Sequence, residues 1–298
     1  MGHPVTGPQT CTWHPGRPTA LSCSRCGQLA CPECLRAAPV GQHCVDCVAR
    51  EAATVRVGTA PQVAADAAHR TPVVTYALIA VNVVVFALCM WQGAGIVGAS
   101  PLMEWGVLST GFGPGFRPDV DFEYWRLVTS GFLHWSVPHI ALNMISLYII
   151  GRDLERLFGP LRYGAIYLAS LLGGSAAVLL LQPGVVATAG ASGAIYGLMG
   201  ALLIVVLRLK LPATSILVVI GLNVAMSVTI PGISIWAHLG GLLFGALSTL
   251  AVLWLPTAVL PAEQRTADRV SRVGAIALVA LLVIAAGIGV GLVTAYSV

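Results

Sequence analysis

The sequence predicts an all-α polytopic membrane protein of seven spans, with a small cysteine-rich domain in front of the first. Three observations carry this. The chain of 298 residues is 57% hydrophobic and only 9% charged, against roughly 25% charged in soluble domains, and its mean hydropathy is +0.84. Its apolar residues gather into seven segments, at about 73–91, 137–151, 160–181, 190–207, 212–230, 233–255 and 273–296. Seven of its eight cysteines fall before residue 48. A soluble globule is excluded as the main body. The net charge of +4 is too small to imply a nucleic-acid partner.

The chain opens on "MGHPVTGPQT", which lacks a charged region followed by an apolar one, so no cleaved signal peptide is expected. Residues 1–50 form the first expected domain. Cys11 and His14, Cys23 and Cys26, Cys31 and Cys34, and Cys44 and Cys47 are each separated by two residues. With that spacing one tight turn offers two ligands to a tetrahedral zinc ion. His43, beside Cys44, is an alternative ligand. Disulfides are the competing reading, and a reducing compartment would disfavour them. So short a segment buries little core, so metal would supply its folding free energy. The ligand count suffices for two structural zincs. Closed four-ligand sites leave no position open for chemistry, so the expected role is to bind a cytoplasmic protein partner. The pattern resembles a B-box-type, cross-braced finger. That resemblance implies one site from Cys11, His14, Cys31 and Cys34, and another from Cys23, Cys26, Cys44 and Cys47.

Residues 51–71 contain Ala, Thr and Pro with few large apolar groups and read as a linker. The spans follow, each needing about 20 residues to cross roughly 30 Å of hydrocarbon. Fourteen of the sixteen Lys and Arg precede the first span or lie between spans 2 and 3, 4 and 5, or 6 and 7; only Arg117 and Arg126 fall on the other side. Basic residues stay cytoplasmic. The N-terminus is therefore expected inside and the C-terminus outside, with a long external connection over 92–136. A connection of that length is more often functional than idle.

The stretch "TAGASGAIYGLMG", residues 188–200, begins span 4. Its Gly193 and Gly197 form a small-xxx-small pair that suits helix packing. Yet from Ser192 to the basic Arg208 a helix would cover only about 24 Å, which places Ser192 below the external surface. The irregular "QPGVVATAG" before it is tolerated at membrane depth only where protein or a water-filled cavity surrounds it. His238, in "GISIWAHLGGLLFG", enters span 6 at a comparable depth. Ionisable groups inside a membrane default to function. His134, His139 and Asn143 stand in "HWSVPHIALN", with His139 and Asn143 on one helical face. Such side chains can donate to the oxygen that becomes negative in acyl transfer, or they can be interhelical glue. Every Asp and Glu lies outside the apolar segments, so a buried Ser-His-Asp triad is not available. A dyad would remain, with His238 oriented by packing and Tyr196, one turn after Ser192, stacked on its ring.

These residues resemble the rhomboid intramembrane serine proteases. The resemblance rests on "GASG" around Ser192, His238 in AH-x-x-G-x-x-x-G, the H-x-x-x-x-H-x-x-x-N of His134, His139 and Asn143, and the "WR" of Trp125 and Arg126. It covers residues 72–255, as a six-helix core, with 256–298 adding a cytoplasmic connection and one further C-terminal transmembrane helix. It implies Ser192 as nucleophile and His238 as general base, with no cofactor for catalysis. It further implies an oxyanion hole from His139, Asn143 and the Ser192 N–H. Tyr196, His134, Trp125 and Arg126 are the expected supporting residues. The implied activity is cleavage of transmembrane-anchored proteins near the external face of the cell membrane. A transporter would also carry broken helices, but the internal repeats it predicts are absent from this sequence. A non-catalytic membrane-protein binder would tolerate loss of Ser192 or His238, and both are present.

Overall fold

A computed structural model describes residues 9–38, 41–54, 71–94, 100–110, 123–182 and 186–296. The chain divides into two compact units, Met1–His69 and Arg70–Val298. Most of the expected linker, residues 55–70, lies outside the described residues.

The described residues of the first unit hold two antiparallel hairpins, a 3-10 turn (Pro32–Cys34) and an α-helix. Strand β1 (Thr10–Cys11) pairs with β2 (His14–Pro18), bringing Cys11 opposite His14. Strand β3 (Leu35–Ala37) pairs with β4 (Gln42–Cys44), with Leu35 opposite Cys44. Helix α1 (Val45–Thr54) follows. The buried cluster is Cys11, Cys23, Cys31, Cys34, Cys44 and Cys47 with Ala30 and Leu35. Sulfur, not hydrocarbon, fills this core.

The second unit is almost entirely helical. Helix α2 (Val73–Cys89) is followed by α3 (Pro101–Gly106), the short strand β5 (Leu108–Thr110) and one turn of helix, α4 (Arg126–Thr129). Helices α5 (Val137–Ser146) and α6 (Arg152–Phe158) join through a π-helical turn over Leu147–Gly151. Helix α7 (Pro160–Leu181) leads to strand β6 (Val186–Thr188), then α8 (Ser192–Arg208), α9 (Thr214–Thr229) and α10 (Ile235–Leu253). A short α11 (Leu255–Val259) precedes α12 (Ala267–Tyr296). The seven expected apolar segments thus all become helix.

Start signals in the sequence explain several of these boundaries. Ser136 and Ser234 cap α5 and α10, their hydroxyls accepting from the N–H of His139 (3.4 Å) and Ala237 (3.2 Å), one of the orphan donors each helix leaves. The first turn of α2 is capped from a distance. The carboxylate of Glu155, a buried residue on α6, accepts from Val74 N–H at 2.8 Å, Thr75 N–H at 2.7 Å and the Thr75 hydroxyl at 2.7 Å. A carboxylate at a helix N-terminus gains from both the hydrogen bonds and the dipole.

Among the described residues, four helical stretches are long and apolar enough to cross a membrane: Val73–Gly93, Pro160–Leu181, Ile235–Leu253 and Ala267–Ala295. Helices α8 and α9 are apolar but shorter. Val83, Leu142, Val218 and Ile276 are exposed on outer faces, as lipid-facing residues are. The chain is a mostly helical membrane protein with a small cysteine-rich N-terminal region.

The core of this unit is α7, α8 and α10. Here the small residues of the sequence find their partners. A Cβ at Gly241 or Gly245 on α10 would overlap the carbonyl oxygen of Gly193 or Gly197 on α8. The two backbones therefore touch, which only glycine permits. Helix α12 lies against this core: Arg162 on α7 donates to the Ser271 hydroxyl at 2.7 Å, and Thr294 lies 3.2 Å from the Tyr124 hydroxyl.

Candidate active site

The segment ahead of α8 is held from both sides. Strand β6 pairs antiparallel with β5, Leu108 opposite Thr188, and the Gly190 N–H donates to Ser130 O at 2.9 Å. This pairing satisfies backbone groups that helix cannot. Gly190 adopts φ +140, and a Cβ there would lie 2.8 Å from His139 Nε2 and 3.5 Å from Ser192 Oγ. The glycine thus serves the backbone angle and leaves room for two side chains to converge.

Ser192 is the first residue of α8, whose preceding residue Ala191 supplies no side-chain cap. Its N–H is among the donors that a helix start leaves without an intrahelical acceptor. Ser192 Oγ lies 2.8 Å from His238 Nε2. Tyr196, one turn further along α8, stacks on the His238 ring with centroids 3.9 Å apart and planes 12° from parallel. The close approach of α8 and α10 at their glycines brings these three together. Packing and site chemistry are therefore not alternatives for the opening stretch of α8; the glycine contact is what sets the Ser192–His238 distance.

The other ring nitrogen of His238 has a partner that sequence reasoning missed. Ser227 Oγ, on α9, lies 2.7 Å from His238 Nδ1 and 3.2 Å from the Tyr196 hydroxyl, and donates to Asn223 O at 2.8 Å. Packing is thus not all that orients the imidazole. The available signal was Asn223 and Ser227, a polar pair four residues apart within an apolar span, which puts both on one helical face.

A cavity of about 550 Å³ opens onto this group, lined among others by Ser192, His238, His139, Asn143, Tyr196 and Gly190. Asn143 Nδ2 donates to His139 O at 3.0 Å, which leaves its second amide hydrogen. His134 is buried and meets the His139 ring edge-on at 5.0 Å. It is not among the residues lining the cavity.

Trp125 and Arg126 are also away from it. The Trp125 ring stacks on Trp105 at 5.7 Å, and its Nε1 donates to Trp105 O at 3.2 Å. Arg126 pairs with Glu123 and donates to the carbonyls of Glu104 (2.6 Å) and Val107 (2.9 Å). These contacts brace the connection that carries Leu108 and Ser130, which do line the cavity.

In the N-terminal unit, Cys11, His14, Cys31 and Cys34 form one group of potential metal ligands, and Cys23, Cys26, Cys44 and Cys47 a second. Within each group all ligand atoms lie within 4.8 Å of one another. The second contains Cys44 and not His43. His14 Nδ1 is 3.4 Å from Cys31 Sγ, 3.3 Å from Cys34 Sγ and 3.9 Å from Cys11 Sγ, and Cys26 Sγ is 3.7 Å from Cys44 Sγ. Metal–ligand bonds of about 2.3 Å for sulfur and 2.0 Å for nitrogen place tetrahedral ligand atoms about 3.5–3.8 Å apart. The two tetrads could bind metal ions. Burial, followed by hydrogen bonding among the sulfurs, pushes the Cys34 and Cys47 thiols up to about 12.

A family model described as the rhomboid domain matches residues 121–255. The chain is 34% identical over 192 residues to rhomboid protease GluP of Bacillus subtilis (strain 168), covering 63% of this chain and 36% of that protein. It is 43% identical over 131 residues to RHOMBOID-like protein 6, mitochondrial, of Arabidopsis thaliana, covering 41% and 42%. To the putative rhomboid protease YdcA of Bacillus subtilis (strain 168) it is 33% identical over 154 residues, covering 50% and 76%. The chain spans less than half the length of the first two relatives. With a matched domain, a multi-pass helical body and an extended match to YdcA, the chain belongs to the rhomboid family.

Proposed function

We propose that this protein is an intramembrane serine endopeptidase. Its nucleophile is Ser192 and its general base is His238. The observation that carries the reading is the 2.8 Å contact between Ser192 Oγ and His238 Nε2 at the wall of the cavity. Ser227 also touches the imidazole, but it does not line the cavity and its proton goes to Asn223 O. Ser192 is the hydroxyl a substrate can reach.

In the reaction, Ser192 Oγ bonds to the scissile carbonyl carbon as its proton passes to Nε2. The carbonyl oxygen becomes negative beside the Ser192 N–H at the start of α8, where the helix dipole also favours negative charge. His139 and the second Asn143 amide hydrogen are the side-chain donors for that oxygen. The tetrahedral intermediate collapses, the amine leaves with the proton from His238, and water then hydrolyses the acyl-serine with the same base. No carboxylate takes part.

The substrates are transmembrane-anchored proteins, cut near the external face with the bilayer as surroundings. The basic residues favour a cell membrane, with the N-terminus cytoplasmic and the C-terminus outside. We assign residues 1–50 to a zinc-binding head with two structural ions, 51–71 to a linker, 72–255 to the catalytic body and 256–298 to the connection and seventh span. The donor set of six buried cysteines with exposed Cys26 and half-buried His14 is the thiolate-rich chemistry zinc selects, and a cytoplasmic protein is the head's expected partner.

A fluorophosphonate probe applied to the detergent-solubilised protein tests the activity. Ser192 should be labelled, and neither Ser192→Ala nor His238→Ala should react. Absence of labelling at Ser192 in a folded sample would overturn the hydrolase reading.

A further inference from the structure

We propose that Ser227 is a positioning residue for this site, its hydroxyl holding His238 in the tautomer that carries hydrogen on Nδ1. The inference rests on the hydrolase reading above. A neutral imidazole has one donor and one acceptor nitrogen. To accept the Ser192 proton, Nε2 must hold the lone pair, so the ring hydrogen must sit on Nδ1. Something must accept it there.

Ser227 Oγ lies 2.7 Å from Nδ1. It also has two further partners, Asn223 O at 2.8 Å and the Tyr196 hydroxyl at 3.2 Å. A serine hydroxyl has one hydrogen and two lone pairs. A carbonyl oxygen can only accept, so the Ser227 hydrogen goes to Asn223 O. Both lone pairs then remain, one for Nδ1–H and one for the Tyr196 O–H. This arrangement pairs every proton and lone pair on Ser227. In the opposite tautomer Ser227 would have to donate to Nδ1 and give up Asn223 O, and Nε2–H would point at Ser192 Oγ with no capacity to take its proton.

The environment strengthens the constraint. Ser227 and His238 are both buried, at 5% and 6% exposure, so bulk water does not substitute readily for a missing partner. The Tyr196 ring stacked on His238 fixes the imidazole plane, while its hydroxyl fixes Ser227. Three helices, α8, α9 and α10, each contribute one member. A carboxylate performs the orienting task in Ser-His-Asp triads; here a neutral hydroxyl backed by a main-chain carbonyl does so without a buried charge.

The test compares full-length native protein with Ser227→Thr, which keeps the hydroxyl, and Ser227→Val, which matches threonine in shape and loses the hydroxyl. Steady-state cleavage of a membrane-anchored substrate, fluorophosphonate labelling of Ser192 and ¹⁵N NMR of the histidine rings are read on each. The His238 resonances are assigned by their loss in His238→Ala. Ser227→Val should lose about tenfold in kcat and labelling rate at unchanged KM, the worth of one buried neutral hydrogen bond. Ser227→Thr should stay near native. Native neutral His238 should carry its proton on Nδ1, and Ser227→Val should show a tautomer mixture. Equal kcat for the Val and Thr variants overturns the proposal, as does a native His238 protonated on Nε2. Failure of native Ser192 to label would instead refute the hydrolase reading, while the tautomer measurement would still decide the role of Ser227.

Discussion

Replacing Gly241 by Ala should disable the site without touching any reacting group. The new Cβ would overlap the Gly193 carbonyl oxygen and lie 2.7 Å from the Gly193 carbonyl carbon. Carbon atoms rest about 3.5–4.0 Å apart, so α8 and α10 must separate by about 1 Å at this point. Both atoms in conflict belong to backbone, so no side chain can swing aside. Gly193 adjoins Ser192 in sequence, and Gly241 lies one turn from His238. A displacement of that size would take Ser192 Oγ and His238 Nε2 from 2.8 Å to beyond hydrogen-bond distance. Misplacement by about 1 Å costs on the order of 10²-fold in rate. The assay is the fluorophosphonate labelling rate at Ser192 alongside cleavage of a membrane-anchored substrate, with thermal unfolding recorded on the same samples. Gly221→Ala is the matched control. It lies on α9 with nothing within 4 Å of its added Cβ, so it should keep native activity and unfold no earlier than native. A Gly241→Ala protein labelled at the native rate would refute the claim that backbone contact between α8 and α10 sets the dyad distance.

Asn143→Ala should lower kcat by about 10²–10³-fold, the usual cost of one oxyanion donor, with the fold intact by circular dichroism; native turnover would remove Asn143 from that role. Purified protein should contain about two zinc ions per chain by its ligand count, and Cys34→Ser should leave one by elemental analysis. Loss of neither ion in that variant would break the proposed grouping. Substrate choice should follow helix unwinding, because a scissile carbonyl within a helix is tied into its hydrogen-bond ladder. Replacing Gly or Pro in the outer third of a substrate helix by Leu should slow cleavage about tenfold, since those residues lower helix stability by about 1 and 3 kcal/mol. Equal rates for stiffened and native substrates in one detergent would show that unwinding is not limiting.

Much of this protein was legible in its sequence because membrane physics acts locally. Without water in the bilayer core, a spanning segment must be apolar and satisfy its own backbone, and each of the seven apolar segments is helix in the structure. Ser192, His238 and Tyr196 could be expected near one another because depth in the membrane acts as a coordinate: each residue's distance from the basic end of its helix limits where it lies. The two-residue spacing in the cysteine-rich head is likewise local, since one turn presents both ligands of a pair.

Contacts between segments distant in the chain were decided only by tertiary structure. The β5–β6 pairing joins Leu108 to Thr188 across a sequence gap that no hydropathy pattern spans. Glu155, which lies outside the apolar segments, caps α2 from about eighty residues away. Trp125 and Arg126, expected as supporting residues, do not line the cavity but brace the connection that carries Leu108 and Ser130, which do. The Asn223 and Ser227 pair marks one polar face of α9 in the sequence, but the role of Ser227 depends on α9 meeting α10 at the level of His238 Nδ1. A sequence states which groups lie at which depth along each helix. Which faces turn toward one another is settled by packing among helices, where glycine backbones that touch at Gly193 and Gly241 fix angle and rotation together.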